Sequence, residues 1–270
     1  TIDPIITKNC NLLCPHCWGC NNDNTNIDYD VYCRILKFSK FLNLKIIQFT
    51  GGEPLLNNDV FDLAGISKIQ GFSNKLRTNF SIKKFDDDFI LSILKLFDSI
   101  YVSIDSGNPN VNFELRPSKK YILNKEFYND NKLFETIAKD NFDTIMYNLN
   151  KIIQFRDKTN SKNKIIIATV IQKRNADNFD SMLNIINSYK NVRWDITQVI
   201  LENDNDNAIK MDYFLKKAFD ISIKSKNVIK IKPISLSRCL RVDNECNVFL
   251  SDINDILLGN CYDCSINNFN

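Results

Sequence analysis

The stretch that decides the fold is CNLLCPHC at residues 10–17, close to the start of the sequence. Its cysteines, Cys10, Cys14 and Cys17, have the spacing C-x3-C-x2-C. Three close thiolates can bind three irons of a [4Fe–4S] cluster and leave the fourth iron without a protein ligand. A structural zinc site would instead complete its shell with four ligands. The spacing therefore indicates an iron–sulfur cluster with one open iron, where a cofactor can bind.

Size and composition favour one large α/β domain. The chain has 270 residues, of which 44% are hydrophobic, and this is enough for a sizeable core. No apolar run reaches the roughly 18 residues of a membrane span, and no secretory signal is visible. The net charge of +3 is too small to argue for nucleic acid or a membrane as partner. We therefore expect a cytoplasmic protein. Because the sequence starts at Thr1 without a methionine, we also expect a few leading residues to be missing.

The nine cysteines form two groups, within residues 10–33 and residues 239–264. Small secreted proteins with disulfides are also rich in cysteine, but they usually lack an α/β core, so we favour metal ligation. The second group, in chain order, comprises Cys239, Cys246, Cys261 and Cys264. Four cysteines at this spacing can complete a tetrahedral metal site or bind a whole Fe–S cluster. Cys20 and Cys33 belong to neither set of ligands.

Short apolar runs alternate with amphipathic segments along the chain. Strands are predicted over residues 2–7, 45–50, 74–79, 99–105, 164–171 and 192–200. Helices are predicted over residues 28–42, 59–68, 86–97, 141–156, 177–189 and 208–225, with a short one near 129–138 in a long connection. Several strands are apolar with little alternation, which suits parallel strands covered on both faces. Right-handed crossovers then predict a partial (β/α)6 barrel over residues 1–226 and a small cysteine-rich module over 227–270.

Polar or flexible residues follow the predicted strands at the end where barrels carry their chemistry. Gly-Gly-Glu-Pro at residues 51–54 follows the second strand, and its glycines let the backbone approach a ligand closely. Asn79 ends the third strand, and Ser103 and Asp105 end the fourth. Alone, the first motif is a common turn and Asn79 is an ordinary polar strand end. Their placement at successive strand ends, after the cysteine motif, indicates a shared site.

Together these motifs resemble the radical S-adenosylmethionine (radical SAM) superfamily over roughly residues 1–200. The resemblance implies that Cys10, Cys14 and Cys17 hold the catalytic [4Fe–4S] cluster and that its open iron binds S-adenosylmethionine. It also implies a set of cofactor-binding residues, namely His16, Gly51, Gly52, Glu53, Pro54, Asn79, Ser103, Asp105 and Arg116. His16, the only histidine, is expected to pack beside the cofactor and not to act as a base.

Arg116 and the second cysteine group carry a further resemblance. Arg116 lies where members with a C-terminal extra-cluster domain have an arginine, whose planar fork suits a carboxylate; a surface role is the alternative. Residues from about 230 to 264 resemble the twitch form of the SPASM module, which implies a second, auxiliary [4Fe–4S] cluster. Cys246 departs from that pattern, since those modules often have a turn glycine there. A zinc site is the alternative.

The resemblance implies an oxidoreductase that cleaves S-adenosylmethionine reductively to a 5′-deoxyadenosyl radical, which abstracts hydrogen from a substrate. We favour a ribosomally made precursor peptide, modified by cross-linking, epimerisation or thioether formation, with the auxiliary cluster as electron acceptor. A flavodoxin- or ferredoxin-type reductant is the implied partner. One alternative is the dehydrogenation of a small molecule such as an aminocyclitol. Another, outside enzymes, is an electron-transfer or zinc-binding protein.

Overall fold

A computed structural model describes residues 1–17, 23–124, 130–198, 209–232, 239–242, 247–251 and 256–260. Its strands are β1 (Ile2–Thr7), β2 (Ile46–Gly51), β3 (Ser73–Thr78), β4 (Ser99–Ser103), β5 (Lys164–Ile171), β6 (Val192–Gln198), β7 (Ile229–Lys232), β8 (Cys239–Val242), β9 (Asn247–Ser251) and β10 (Ile256–Asn260). Its helices are α1 (Tyr29–Phe41), α2 (Val60–Ile69), α3 (Asp87–Leu96), α4 (Pro109–Leu115), α5 (Lys119–Leu123), α6 (Asn131–Lys158), α7 (Phe179–Ser188) and α8 (Met211–Lys224).

Strands β1 to β7 lie side by side in chain order and are all parallel. Successive right-handed crossovers in one direction place the connecting helices on the same face of the sheet. The sheet is not closed, since β7 and β10 form its two edges. This confirms the predicted partial α/β barrel and extends it by the short strand β7.

The main core lies between the sheet and its helices. Phe49 of β2 is fully buried there, with its ring centre 6.0 Å from that of Tyr32 on α1 and 5.2 Å from that of Phe97. Helix α1 begins where the sequence predicts, because the Asp28 side chain accepts hydrogen bonds from the backbone N–H groups of Asp30 and Val31. The apolar runs of the sequence therefore form this helix-covered face.

Two features differ from the sequence-based expectation. The predicted helices over 129–138 and 141–156 are one continuous helix, α6, because the polar residues between them continue its exposed side. The long connection before α6 also contains the short helices α4 and α5. Strands β4 and β5 are buried on both faces, as predicted, although the helices lie on only one of these faces.

The described strands of the C-terminal region continue the same sheet. Strand β8 pairs in parallel with β1, and β9 pairs antiparallel with both β8 and β10. Cys239 lies in β8, whereas Cys246, Cys261 and Cys264 lie outside the described residues. The proposed module over 227–270 therefore stays a prediction. Within the described ranges, no helix combines the length and apolar character needed to cross a bilayer.

Candidate functional site

The cysteine motif forms a loop directly after β1, which we call the cluster loop (residues 8–17). Cys10 is buried, and its sulfur accepts a hydrogen bond from the Leu12 N–H at 3.4 Å. The Cys17 N–H donates to the Cys14 carbonyl at 3.0 Å, so the second half of the motif is a tight turn. Cys14 is half-buried and Cys17 is exposed. The exposure of the three cysteines therefore increases along the loop, from Cys10 to Cys17.

The segment after α4 fixes the cluster loop from the other side. The Leu13 N–H donates to the Pro117 carbonyl at 2.8 Å, and the Lys119 N–H donates to the Asn11 carbonyl at 2.8 Å. These bonds pair the cluster loop with the residues that directly follow Arg116. The position of the loop is therefore set by backbone contacts that no local sequence pattern reveals.

The two glycines after β2 are required by close packing against the cluster loop. Gly51 has a φ of +125°, and a Cβ atom there would lie 2.3 Å from the Thr7 carbonyl oxygen. At Gly52 a Cβ atom would lie 2.1 Å from the Asn9 carbonyl oxygen. The Gly52 N–H donates to the Thr7 carbonyl at 2.7 Å, and the Glu53 N–H donates to the Asn9 carbonyl at 2.8 Å. Both glycines therefore let β2 hold the start of the cluster loop.

Glu53 joins the ends of β2 and β3. Its side chain is buried, with one carboxylate oxygen accepting from the Leu55 N–H at 3.2 Å and the other from the Asn79 N–H at 2.7 Å. Burial raises the pKa of Glu53 to about 7, although these N–H donors act in the opposite direction. Pro54 begins the short 3-10 turn Pro54–Leu56 that follows. Within the structure, Glu53 is thus a buried link between strand ends.

Asn79 contacts the cluster loop through a small amide network that the sequence did not suggest. Its Nδ2 donates to Asn11 Oδ1 at 2.9 Å, and Asn11 Nδ2 donates to Ser81 Oγ at 3.0 Å. The Ser81 hydroxyl donates back to Asn79 Oδ1 at 2.8 Å. The ring of three side chains fixes the orientation of the Asn11 side chain, and therefore of the residue beside Cys10.

Asp105 and Arg116 form a buried ion pair at the end of β4. Arg116 Nε lies 2.7 Å from Asp105 Oδ2, and Arg116 Nη2 donates to Asp105 Oδ1 at 3.2 Å. The Val170 N–H also donates to Oδ1, at 2.8 Å. Burial acts to lower the pKa of the Arg116 guanidinium, but the Asp105 carboxylate outweighs it and raises that pKa, so Arg116 keeps its positive charge. Arg116 therefore lies inward, beside the cluster loop, and is not a surface residue.

His16 lies against the same carboxylate. Its Nε2 is 3.5 Å from Asp105 Oδ2, and its Nδ1 is 3.2 Å from Gln172 Nε2. Burial lowers the pKa of His16 to about 4, although Asp105 opposes the shift. The imidazole is neutral at pH 7, so Asp105 and Gln172 orient it without an ionic contribution from the ring.

The cysteines fit the thiolate ligation of an iron–sulfur cluster. Arg116 Nη1 lies 4.0 Å from Cys14 Sγ. Burial raises the pKa of the Cys14 thiol to about 12 and Arg116 opposes this, so metal binding must release the proton. In the described part of the chain no three metal-binding side chains converge on a single ion. Each thiolate of a [4Fe–4S] cluster binds a different iron, so a cluster does not need such convergence.

The strand ends bring most predicted site residues to the cluster loop. Ser103 is half-buried at the end of β4, two residues before Asp105. Cys33 lies on α1 and Cys20 lies outside the described residues. Sequence reasoning missed four amide side chains that support the site, which are the half-buried Asn11 and the buried Asn112, Gln172 and Asn175. Asn11 lies beside a cysteine and Gln172 directly follows β5, but no local signal indicates Asn112 on α4 or Asn175.

Comparisons with known proteins agree with this geometry. The model of the family described as the radical SAM superfamily matches residues 4–152, more than half of the chain. The S-adenosylmethionine-dependent nucleotide dehydratase of Selenomonas ruminantium is 27% identical over 151 residues, which are 55% of this chain and 54% of that protein. The chain therefore spans about half the length of this curated relative.

Two solved structures share the fold. Native anSMEcpe with bound AdoMet has a TM-score of 0.72 at 14% identity and covers 99% of this chain and 79% of its own. SuiB of Streptococcus suis, bound to its precursor peptide SuiA, has a TM-score of 0.65 at 12% identity and covers 92% of this chain and 58% of its own. With the cysteine loop and the strand-end residues on one site, the family match leads to one conclusion: this chain belongs to the radical SAM superfamily.

Proposed function

We propose that this chain uses a [4Fe–4S] cluster and S-adenosylmethionine to abstract hydrogen from a precursor peptide and oxidise it. One observation carries the proposal. Cys14, His16, Asp105 and Arg116 lie in direct contact around one buried point, at the strand ends. An electron-transfer or zinc protein would not need a buried ion pair of this kind beside its thiolates.

Different residues would bind the cluster and support the loop around it. Cys10, Cys14 and Cys17 would hold the cluster, and Gly51 and Gly52 would hold the loop that carries them. When bound, the cluster and S-adenosylmethionine supply a one-electron cleavage that yields a 5′-deoxyadenosyl radical.

Asp105 binds Nε and Nη2 of Arg116, whereas Nη1 lies next to Cys14 and can donate to the methionyl carboxylate of the cofactor. The Asp105 carboxylate contacts both Arg116 and His16 and so fixes their positions. The neutral ring of His16 then packs beside the cofactor and excludes water from it. Glu53, Pro54, Asn79 and Ser103 would complete this pocket, as the resemblance implies.

The first test removes the three cluster cysteines together by changing Cys10, Cys14 and Cys17 to Ala. Formation of 5′-deoxyadenosine under reducing conditions should fall to background, because the cluster has no ligands. Cys33→Ala, which removes a cysteine from helix α1, is the matched control and should retain activity. Unchanged formation of 5′-deoxyadenosine in the triple variant would refute the proposal.

The C-terminal cysteines, Cys239, Cys246, Cys261 and Cys264, are proposed to bind an auxiliary [4Fe–4S] cluster that accepts the substrate electron. Support comes from their spacing and from the twitch resemblance. The triple variant without the first cluster should then still bind about four irons. Changing Cys261 and Cys264 to Ala should spare 5′-deoxyadenosine formation but stop the oxidised product. Stoichiometric zinc at this site, or normal product without those cysteines, would contradict the electron-acceptor role.

A peptide substrate is supported by the fold shared with SuiB, which was solved with its precursor peptide. Oxidation of a small molecule, such as an aminocyclitol, is the alternative. A flavodoxin or ferredoxin would supply the electron in the cytoplasm. Mass spectrometry of short peptides encoded beside this gene, incubated with the enzyme, tests the choice. A loss of two hydrogens in a peptide supports it, whereas turnover of small molecules alone contradicts it.

A further inference from the structure

The inner face of the sheet, which is the face opposite the helices, is more polar than a packed barrel interior. On β3, Asn74 and Leu76 face the helices, since Asn74 donates to the Ala64 carbonyl of α2 and Leu76 belongs to the main core. Side chains alternate along a strand, so Lys75 and Arg77 lie on the inner face. Interiors of closed barrels are filled with branched apolar side chains. Two cations here therefore need a separate explanation.

A tyrosine and a second arginine lie in the same layer as Arg77. Arg77 pairs in register with Tyr101 of β4, and its guanidinium carbon is 4.8 Å from the centre of the Tyr101 ring. Arg193 of β6 approaches the same ring, at 5.8 Å from its centre, and Arg193 Nη2 donates to the tyrosine hydroxyl at 3.2 Å. The buried ring of Tyr101 thus keeps the two guanidinium groups on one layer of the inner face.

The charges on this part of the inner face do not balance. Asp195 neutralises Arg193, with contacts of 2.6 Å to Nε and 3.0 Å to Nη2. Neither Lys75 nor Arg77 has a carboxylate within ion-pair distance among the described residues, and both are half-buried. Partly desolvated cations without a counter-ion are costly, and a bound anion would remove that cost. The Asp3 carboxylate also lies on this face, two strands from Lys75, and accepts a hydrogen bond from Gln48 Nε2 at 2.6 Å. Since no ion pair joins it to Lys75 or Arg77, these two side chains leave an excess positive charge here.

The cations lie next to the predicted cofactor site. Asn79 follows Arg77 by two residues on the same face, and Ser103 follows Tyr101 by two residues. Two residues of a strand span about 7 Å. An anion bound at Arg77 would thus lie about 7 Å from the strand ends. One small substrate, or one side chain of a larger substrate, could contact both places.

We propose that Lys75 and Arg77 bind an anionic group of the substrate, a phosphate or a carboxylate, on the inner face of the sheet. The guanidinium of Arg77 can bind two oxygens of such a group at once, and Lys75 adds a second positive charge. The pair Arg193–Asp195 and the ring of Tyr101 position Arg77. Assignment of this anion to the substrate rests on the proposed function; the binding of an anion here does not.

The test measures anion binding by the anaerobically purified full chain, with its cluster and saturating S-adenosylmethionine but without reductant. The probes are inorganic phosphate and glutarate, compared with chloride at equal ionic strength by calorimetric titration. Arg77→Gln removes the charge, Arg77→Lys retains it, and Arg34→Gln removes a charge from the exposed side of α1. Saturating cofactor keeps the anions away from Arg116.

We expect wild type, Arg77→Lys and Arg34→Gln to bind at least one probe, and Arg77→Gln to bind it at least about tenfold more weakly. Binding of phosphate alone indicates a phosphorylated substrate, and binding of glutarate alone a carboxylate. Should Arg77→Gln not fold, Lys75→Gln must show the same loss. Equal binding by wild type and the glutamine variants, or no binding beyond chloride, overturns the proposal. Neither result involves turnover, so the test with the cluster cysteines is unaffected.

Discussion

Phe49 and its neighbour Gln48 on strand β2 lie on opposite faces of the sheet and have opposite surroundings. Phe49 packs against aromatic rings of the helix-covered side, whereas Gln48 Nε2 donates to Asp3 Oδ2 at 2.6 Å on the inner face. The same contrast separates Leu76 from Arg77 on β3. One face of the sheet therefore supplies stability, and the other face, with the strand ends, supplies polar groups for ligands.

The largest effect on stability is expected on the helix-covered face. Phe49→Ala should destabilise the fold by about 3–5 kcal/mol, because it leaves a cavity between two aromatic rings. Thr50→Ala, at the next position and on the inner face, is the matched control and should cost under about 1 kcal/mol. Chemical denaturation of both variants measures the difference. Equal losses in the two would contradict the division between the faces.

A change at the strand end should affect the cluster loop more than the fold. Gly52→Ala places a Cβ against the Asn9 carbonyl oxygen, so the loop must shift, at a cost of about 1–3 kcal/mol. Iron content and 5′-deoxyadenosine formation should fall with it. Gly65→Ala on α2 is the control, since a Cβ there meets no atom within 4 Å. That variant should keep its iron, and a similar loss of iron in both variants would show that the close approach at Gly52 is unimportant.

Removal of the Asp105 carboxylate should weaken cofactor binding while the cluster stays. Asp105→Ala leaves Arg116 and His16 without their shared partner, so the affinity for S-adenosylmethionine should fall about tenfold, or about 1.4 kcal/mol. A titration of the iron-loaded variant measures it. Ser103→Ala should weaken binding less. Wild-type affinity in both variants would count against this pocket.

The last prediction concerns the pH dependence of stability that Glu53 sets. Its pKa rises from 4.5 to about 7 in the folded chain, so the native state binds the proton more tightly than the unfolded state. This contribution to stability is complete below pH 4.5 and is lost as the pH rises to about 7. Glu53→Gln cannot titrate and should show a flatter stability curve over this range. Parallel curves from thermal unfolding at each pH would contradict the assignment.

The sequence predicts those elements whose pattern is local. Strands β1 and β5 have the predicted bounds, and α1 differs by one residue at each end, since apolar runs and the Asp28 cap define them. Helix α6 was divided in the prediction because its central polar residues resemble a break. Strand β7 was missed, since four alternating residues give a weak signal.

Only those site residues that belong to a sequence motif could be predicted. The cysteines and glycines follow a spacing, and the structure supplies a steric reason for Gly51 and Gly52. The contacts of Asn11 with Ser81 and of His16 with Gln172 join distant parts of the chain, so no local pattern encodes them. The charge layer around Arg77 was missed for a related reason. Its members come from separate strands and become neighbours only through the register of the sheet.

The backbone bonds between the cluster loop and the segment after α4 also set an order of events during synthesis. The ribosome adds Cys10, Cys14 and Cys17 early, whereas Pro117 and Lys119 follow much later. Until they emerge, the cluster loop has its contacts with β2 and Asn79 but lacks its partners after α4, so its thiols are more open to oxygen and to stray metals. We expect iron delivery to wait for them. Thiol labelling of stalled nascent chains of increasing length would measure this, and protection of the cysteines in chains that end before Pro117 would contradict it.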